Sequence, residues 1–235
     1  MSDKAKQNAA NEALKLVDNG MVLGLGTGST AAWFVKGLGQ LVAQGLDVKG
    51  APTSVETEML AKEVGIPLVD LATAPRINLT IDGADEFDPE LRLIKGGGAA
   101  LLREKIIADS SDIMVVITDK SKQVDRLGAF PLPVEVNPFG LELTKARIRE
   151  TLEVLGLKGV EVALRHNKES QPLITDGGHH ILDLHCKAIA DADMLAAVLD
   201  QIPGVVEHGL FIDIADAVIV GTEDGAFTVA RPEED

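Results

Sequence analysis

Helix-like and strand-like patterns alternate through the first half of the chain. Apolar residues at helical spacing predict helices in KAKQNAANEALKLV and STAAWFVKGLGQLVAQ, and a short strand is predicted between them at MVLGLG. Farther along, IMVVITD is apolar at nearly every position, as expected of a strand that is buried on both faces. Repeated strand-helix units form parallel sheets, because each helix carries the chain back across one face of the sheet. We therefore predict an α/β fold with a mostly parallel sheet.

The segments between these complete the alternation. Further strands are predicted near DVKGAPT, PLVD, INLTID and LRLI. Further helices are predicted near SVETEMLAKEVG and, beginning close to Ala99, in AALLREKIIADS.

The pattern changes after FPLPVEV. The order from there is strand, long helix, strand, hairpin turn at TDGG, strand and helix, which is a compact α+β unit of the split βαβ kind. We place this unit at residues 131–205, inserted into a main domain of residues 1–130 plus 206–235. Two or three strands in the tail, GLFIDIADAVIVGTEDGAFTV, are expected to return to the first sheet.

Composition and charge argue against several classes of partner. The net charge of −15 repels nucleic-acid phosphates, so we expect no nucleic-acid partner. No apolar run reaches the roughly 18 residues that cross a bilayer, and the first residues are too polar for a signal peptide, so we expect no membrane partner. The single cysteine, Cys186, rules out an internal disulfide and fits a reducing compartment, which predicts a cytoplasmic protein.

A glycine-rich turn, GLGTGST at residues 24–30, lies between the first predicted strand and the next helix, and we call it the first glycine loop. Glycines let a backbone approach an anion closely, and a helix N-terminus offers N–H groups and partial positive charge. No lysine follows Gly28, so the turn is not a P-loop, and Ser29 stands where a dinucleotide fingerprint has its third glycine. The residues predicted to bind a phosphate or another small anion are Thr27, Gly28, Ser29 and Thr30. A turn without ligand and a dinucleotide site remain alternatives.

An acidic stretch, DGADEFD, begins where the strand INLTID ends. That strand brings Asp82 to its carboxyl end, and Asp85 follows after a Gly-Ala turn. Two carboxylates placed in this way can bind sugar hydroxyls, transfer protons or hold a divalent metal. Lys95 argues against the metal, because its ammonium group would compete for the same carboxylates. An acidic loop without ligand remains an alternative.

A triple glycine after Lys95, residues 96–98, also lies between a predicted strand and a predicted helix, and we call it the second glycine loop. Glu104 lies within about two turns of the start of the following helix. By position alone Glu104 reads as a surface residue, as do its neighbours Arg103 and Lys105. Lys122 follows the strand IMVVITD and is therefore expected at the same edge of the sheet as the loops.

The histidines do not predict a metal site. His179, His180 and His185 surround a hairpin, but the alternation of a strand places them on different faces. We expect no metal and no cofactor.

Three long motifs resemble those of type A ribose-5-phosphate isomerases: GLGTGSTAAWFV, DGADEFDPELRLIKGGGAALLREKII and DKSKQVDRLGAFPLPVEV. The similarity runs in order over nearly the whole chain and includes the closing IPGVVEHGLF and ADAVIVG. This resemblance implies a Rossmann-like α/β domain with an inserted ferredoxin-like α+β lid domain. It implies an enzyme without metal or cofactor that interconverts D-ribose 5-phosphate and D-ribulose 5-phosphate in the non-oxidative pentose phosphate pathway, and that forms a homodimer or a tetramer.

The resemblance also implies roles for the site residues. Asp82 matches the residue that opens the sugar ring, and Glu104 matches the catalytic base. Asp85 and Lys95 match groups around the C1 and C2 oxygens of the sugar. The substrate-binding positions implied in this way are Thr27, Gly28, Ser29, Thr30, Asp82, Gly83, Ala84, Asp85, Lys95, Gly96, Gly97, Gly98 and Lys122. Lys6 stands where relatives have a lysine on the phosphate side.

The chemistry of aldose-ketose isomerisation agrees with these residue types. One carboxylate can remove a proton from carbon and return it to the neighbouring carbon, provided that its pKa lies near the working pH. A cis-enediolate intermediate needs a fixed positive partner, which Lys95 can supply.

Two other interpretations stay open at this point. A sugar-phosphate-sensing domain would bind the ligand without turnover, but it would have no need of a base such as Glu104. A related enzyme, an amino-sugar phosphate deaminase or an acyl-CoA transferase, would differ in its substrate or in its motif for a covalent glutamate.

Overall fold

The computed structural model describes residues 2–231, which form six α-helices, two short 3-10 helices and three sheets. The helices are α1 (Asp3–Leu14), α2 (Ser29–Ala43), α3 (Val55–Glu63), α4 (Leu101–Asp109), α5 (Leu141–Val154) and α6 (Ala192–Leu199). The strands are β1 (Val22–Leu25), β2 (Lys49–Pro52), β3 (Leu79–Asp82), β4 (Glu86–Phe87), β5 (Leu93–Ile94), β6 (Met114–Asp119), β7 (Leu132–Val136), β8 (Val162–Leu164), β9 (His180–Leu184), β10 (Val205–His208), β11 (Leu210–Phe211), β12 (Ala217–Gly221) and β13 (Ala226–Ala230).

The largest sheet has the strand order β13-β12-β6-β3-β1-β2 and is parallel except for the pair formed by β12 and β13. Its central strand β6 is buried on both faces. Val115 and Ile117 pack with residues of α1 and α2, while Met114 and Val116 pack on the opposite side with residues of β4, β5 and α4. Two apolar faces explain why IMVVITD lacks the polar alternation of a half-exposed strand. The predicted α/β fold with a mostly parallel sheet is confirmed.

A second sheet is antiparallel and has the order β10-β7-β9-β8. Together with α5 and α6 it follows the chain order β-α-β-β-α-β, which is the ferredoxin-like topology predicted for this region. Apolar residues of this sheet and its two helices form a separate core cluster. The division into residues 1–130 plus 206–235 and residues 131–205 stays a prediction, and β10, which pairs with β7, extends past its second boundary.

Three local expectations need correction. The segment PLVD makes only an isolated bridge between Leu68 and Gly50 rather than a strand. Helix α4 begins at Leu101 and not near Ala99, because Ala99 has a left-handed backbone with φ of 59°. In the tail, β12 and β13 return to the large sheet as expected, but β11 joins β4 and β5 in a small third sheet.

The strand order places the site. From β1 the chain continues to β2 on one side, whereas β3 and β6 lie on the other side, so the direction of winding reverses beside β1. Ligands of open parallel sheets bind at such a switch point, beyond the carboxyl ends of the strands. The first glycine loop follows β1, and Asp82 ends β3, so both lie at this edge.

Candidate active site

The first glycine loop lies directly against Asp82. The backbone N–H of Thr27 donates to Asp82 Oδ1 at 3.0 Å. A Cβ atom on Gly26 would lie 2.2 Å from the same oxygen, so only glycine fits at that position. Helix α2 starts immediately afterwards at Ser29, and the N–H groups of a first helical turn have no partner within the helix. The loop therefore combines a close backbone approach with an anion-binding helix end.

Three buried hydroxyl groups hold the side chain of Thr27. Its Oγ1 lies 2.8 Å from the hydroxyl oxygens of Thr53 and Ser54 and 3.1 Å from that of Thr57. The hydroxyl of Thr57 also donates to the carbonyl of Gly26 at 2.9 Å. Sequence reasoning missed these three residues, although the hydroxyl-rich run TSVET after β2 was a signal that could have indicated them.

Asp82 is fully buried behind the cavity wall. Its Oδ1 accepts the N–H groups of Thr27 at 3.0 Å and of Gly83 at 2.7 Å, and its Oδ2 lies 3.0 Å from Lys95 Nζ. These contacts fix the carboxylate in one orientation, directed at the lysine.

Lys95 is buried between two carboxylates. Its Nζ lies 3.0 Å from Asp82 Oδ2 and 3.3 Å from Glu104 Oε2, and it donates to the carbonyl of Gly83 at 2.6 Å. Its ammonium group also lies 5.4 Å from the ring centroid of Phe211. Burial by itself lowers the pKa of Lys95, but the charges of Asp82 and Glu104 outweigh it, and the pKa lies above its ordinary value. Lys95 is therefore a permanent positive charge at the cavity.

Glu104, which the sequence alone places on the surface, is only 4% exposed. Glu104 lies in the first turn of α4, a helix that packs against β10. Burial first, and then the charge of Asp82, raise the pKa of Glu104 from 4.5 to about 8 against the opposing attraction of Lys95. A carboxylate with this pKa can both accept and release a proton near neutral pH.

The neighbouring Lys105 is also not a simple surface charge. Its Nζ is 2.5 Å from Glu207 Oε1 and donates to the carbonyl of His208 at 2.8 Å, which fastens α4 to β10. Within residues 2–231, Asp200, Glu207 and His208 form the one group with metal-ligand spacing. Lys105 already supplies a cation to this group, and His208 uses both ring nitrogens, toward Asp200 and toward the backbone N–H of Leu210. These contacts argue against a metal there.

The second glycine loop faces Asp85. The N–H of Gly97 donates to Asp85 Oδ2 at 2.7 Å, and a Cβ atom on Gly97 would lie 2.6 Å from the carboxylate. Gly96 has a φ of 107°, which favours glycine, and it begins the turn that leads into α4.

The other two acids of the stretch DGADEFD have structural partners. Glu86 accepts the N–H groups of Gly128 at 2.7 Å and Phe130 at 2.5 Å, and so it holds the chain that follows Lys122. Asp88 is paired with Arg92 at 2.7 Å.

A cavity of about 180 Å³ lies between the two glycine loops. Its lining residues are Thr27, Gly28, Ser29, Thr30, Gly83, Ala84, Asp85, Lys95, Gly96, Gly97, Gly98, Glu104, Thr118 and Lys122. The structure thus brings together every predicted site residue except Asp82, which is buried beside Lys95, and Lys6. Thr118 was missed, although its place near the end of the buried strand β6 was a usable signal. Lys6 is not among the lining residues and lies 3.9 Å from Asp3.

The histidines of the hairpin do not converge. His179 Nδ1 lies 2.9 Å from Glu135, whereas His180 Nδ1 lies 3.0 Å from the carbonyl of Leu173. Among residues 2–231, every helix is too short or too polar to cross a bilayer.

Comparisons with known proteins agree with this geometry. The sequence profile of ribose 5-phosphate isomerase A (phosphoriboisomerase A) matches residues 49–225. Ribose-5-phosphate isomerase A of Ruegeria sp. (strain TM1040) is 58% identical over 228 residues, which cover 97% of this chain and 87% of the relative.

Two solved structures have the same fold over almost the whole chain. Ribose 5-phosphate isomerase A from Methanocaldococcus jannaschii superposes with a TM-score of 0.90 at 41% identity, covering 98% of this chain and 100% of the other. A D-ribose-5-phosphate isomerase in complex with phospho-erythronic acid superposes with a TM-score of 0.91 at 43% identity, with the same coverage. The profile match and the 58% identity together show that the chain belongs to the ribose-5-phosphate isomerase A family.

Proposed function

We propose that this protein is an aldose-ketose isomerase that interconverts D-ribose 5-phosphate and D-ribulose 5-phosphate. The observation that carries the proposal is the position of Lys95 Nζ, 3.0 Å from Asp82 and 3.3 Å from Glu104, at the wall of a cavity bordered by two glycine loops. The family membership supports the substrate, as does phospho-erythronic acid in the structure of a relative.

The substrate phosphate is expected at the first glycine loop. Ser29 and Thr30 open α2 and line the cavity, and Lys122 lines the same cavity. Backbone N–H groups at a helix start and one lysine together suit a phosphate, although the protein as a whole is acidic. Binding the phosphate at this end directs the reacting carbons toward Lys95 and Glu104.

Glu104 is proposed as the base that moves the proton between C1 and C2. It removes the proton from C2 of the open-chain aldose and returns it to C1, while the hydroxyl proton of O2 passes to O1. The reverse steps convert the ketose into the aldose. A positioned acid-base group of this kind contributes about 10²- to 10⁴-fold to the rate.

Lys95 is proposed to stabilise the enediolate. Negative charge develops on the sugar oxygen during proton removal, and a preorganised positive charge favours that state more than the neutral ground state. One well-placed donor is typically worth about 3 to 4 kcal/mol in such sites. Asp82 keeps the ammonium group fixed from behind.

Ring opening also requires a carboxylate. The role predicted for Asp82 stays a proposal. Asp85 lines the cavity, whereas Asp82 is buried behind Lys95, so Asp85 is the second candidate for contact with the ring hydroxyl. The carboxylate that contacts the ring takes the proton of the C1 hydroxyl and returns it to the ring oxygen as the bond between C1 and that oxygen breaks, and the other carboxylate supports the charge network.

The assembly and location are part of the same proposal. We expect a homodimer or a tetramer, which light scattering after size-exclusion chromatography measures. The use of one cysteine, Cys186, supports a cytoplasmic location.

Turnover of ribose 5-phosphate by purified protein in excess EDTA tests the proposal. Formation of ribulose 5-phosphate, followed by NMR, is the expected result, and its persistence in EDTA is expected because no metal enters the proposed mechanism. A protein that is stabilised by ribose 5-phosphate but does not turn it over would instead be a sugar-phosphate sensor. Glu104 argues against that alternative, because binding alone gives no reason to bury a carboxylate beside Lys95.

A further inference from the structure

The second glycine loop is held from outside the cavity by an arginine of the antiparallel sheet. Arg165, which follows β8, donates through Nη1 to the carbonyl of Gly96 at 2.7 Å and to the carbonyl of Gly97 at 3.2 Å. Its Nε and Nη2 donate to the two carboxylate oxygens of Asp183 on β9, at 2.8 and 2.5 Å. The side chains of Arg165 and Asp183 are 14% and 16% exposed, so the pair is largely shielded from water.

This contact acts on peptide groups that face the reaction. In a trans peptide the C=O and N–H point in opposite directions. Because Arg165 binds the Gly96 carbonyl, the N–H of the same peptide, which belongs to Gly97, points to the other side and donates to Asp85 at 2.7 Å. The next peptide has the same arrangement: its carbonyl on Gly97 accepts from Arg165, and its N–H belongs to Gly98, which lines the cavity.

Among residues 2–231 the N–H of Gly98 has no protein acceptor, so it is available to a substrate oxygen. A guanidinium group on the carbonyl side polarises each peptide and strengthens its N–H as a donor.

A loop of three glycines needs such a restraint. Glycine has more backbone freedom than any other residue, and the loop has no side chains that could pack. Arginine suits the task because its planar fork binds a carboxylate with one edge while another N–H group reaches the carbonyls. A lysine at this position would supply the charge but not the fork.

We propose that Arg165, oriented by Asp183, is a positioning residue that fixes the second glycine loop with the N–H groups of Gly97 and Gly98 directed at Asp85 and the substrate. The inference rests on the proposed function, because it assigns the loop to isomerisation. Arg165 itself does not line the cavity and acts only through the loop.

Arg165→Ala tests the inference with two independent measurements. In the folded variant we expect kcat to fall about 10- to 100-fold, as for a displacement near 1 Å of reacting groups. We expect the loss in kcat rather than in KM, because these N–H groups border the end where charge develops. Hydrogen exchange of the peptide that contains residues 95–101, measured by mass spectrometry, should become faster.

The matched control is Asp193→Asn. Asp193 on α6 pairs with Arg92 at 3.0 Å, so this variant also weakens an arginine-aspartate pair but touches no residue of the loop. It should leave kcat and the exchange of residues 95–101 unchanged. Asp183→Asn should change both in the direction of Arg165→Ala, and the double variant should lose no more kcat than Arg165→Ala alone, because both residues act through one contact.

The outcomes separate the two proposals. An inactive wild-type protein would refute the proposed function. An active wild type with unchanged kcat in Arg165→Ala would refute only the positioning role. A fall in kcat without faster hydrogen exchange of residues 95–101 would also refute the positioning role. Additive losses of kcat in the double variant would refute it too. If Arg165→Ala does not fold, Arg165→Lys takes the same measurements, because lysine keeps the charge beside Asp183 without the fork.

Discussion

Glu104→Gln removes the proposed proton carrier while keeping the size and shape of the side chain. Glutamine can still occupy the buried position beside Lys95, and the contact between Lys95 and Asp82 is unaffected. We expect kcat to fall about 10³- to 10⁴-fold, at the upper end for an acid-base group, because one carboxylate both takes and returns the proton. Binding of ribose 5-phosphate should persist, since the first glycine loop is untouched.

The pH dependence of the wild-type enzyme follows from the same group. With the pKa of Glu104 raised to about 8, roughly one-tenth of the free enzyme carries the ionised base at pH 7. From there kcat/KM should rise with pH, about tenfold per unit at first, and become constant above about pH 8 to 9. The second pKa of the substrate phosphate is about 6, so the rise of kcat/KM is measured above that pH. The Glu104→Gln variant should show no such rise of kcat/KM with pH.

The raised pKa also affects stability. A proton is bound more tightly in the folded than in the unfolded state, so the contribution of Glu104 is fully present below about pH 4.5 and is lost as the pH rises through about 8. Glutamine does not ionise and avoids this loss. The variant should therefore gain free energy of unfolding relative to wild type as the pH rises, up to roughly 5 kcal/mol for a shift of this size.

Activity by NMR, binding by calorimetry and urea unfolding at several pH values check these expectations. Glu150→Gln is the control, because Glu150 lies on the exposed surface of α5 with 66% of its side chain accessible, and all three measurements should match wild type. A Glu104→Gln enzyme with near-normal kcat would remove Glu104 from the mechanism. A wild-type profile that stays flat between about pH 6.5 and 9 would contradict the raised pKa.

Three further predictions concern Asp82, Lys95 and Gly26. Asp82→Asn removes a charge that raises the pKa of Glu104, so the rise of kcat/KM with pH should move to lower pH. A rise at the same pH as in the wild type would show that the two carboxylates do not interact. Lys95→Met leaves the buried carboxylate of Asp82 without its cation. It should abolish turnover and lower the free energy of unfolding in urea by about 3 to 5 kcal/mol, whereas unchanged stability would argue against the buried pair. Gly26→Ala places a Cβ atom 2.2 Å from Asp82 and should lower kcat/KM about 100-fold. The control is Gly225→Ala, which has open space around the new Cβ atom and should leave kcat/KM unchanged. Equal kcat/KM of the two variants would refute the argument that the backbone must approach Asp82 closely.

The sequence predicted well those residues whose position depends on a local strand end. Asp82 and the first glycine loop each follow a short apolar strand, and parallel strands bring their carboxyl ends to one edge. Lys122, which follows β6, could be placed at that edge by the same reasoning. The second glycine loop follows β5, which lies in the small antiparallel sheet, so its position does not follow from the rule for parallel strands. The roles of these residues rest on the family resemblance and on the proposed mechanism.

Residues that depend on contacts between distant segments could not be predicted in this way. Arg165 lies 69 positions from Gly96, and nothing in ALRHN indicates that its side chain reaches a glycine loop. Lys105 lies 102 positions from Glu207, and the pattern of α4 alone placed it on a solvated face. Such contacts depend on how β8, β9 and β10 pack against the parallel-sheet unit, which periodicity does not encode.

Glu104 shows how these distant contacts determine chemistry. Its pKa depends on burial and on Asp82 and Lys95, and the next residue, Lys105, links the same helix to β10 through Glu207. A carboxylate at the same helix position without this packing would remain solvated and ionised at neutral pH, and it would be a weaker base toward a proton on carbon. The local motif therefore supplies the base, but its basicity comes from burial and from charges of other segments. Substitutions at Glu207 should consequently move the pH profile of the reaction although this residue does not line the cavity.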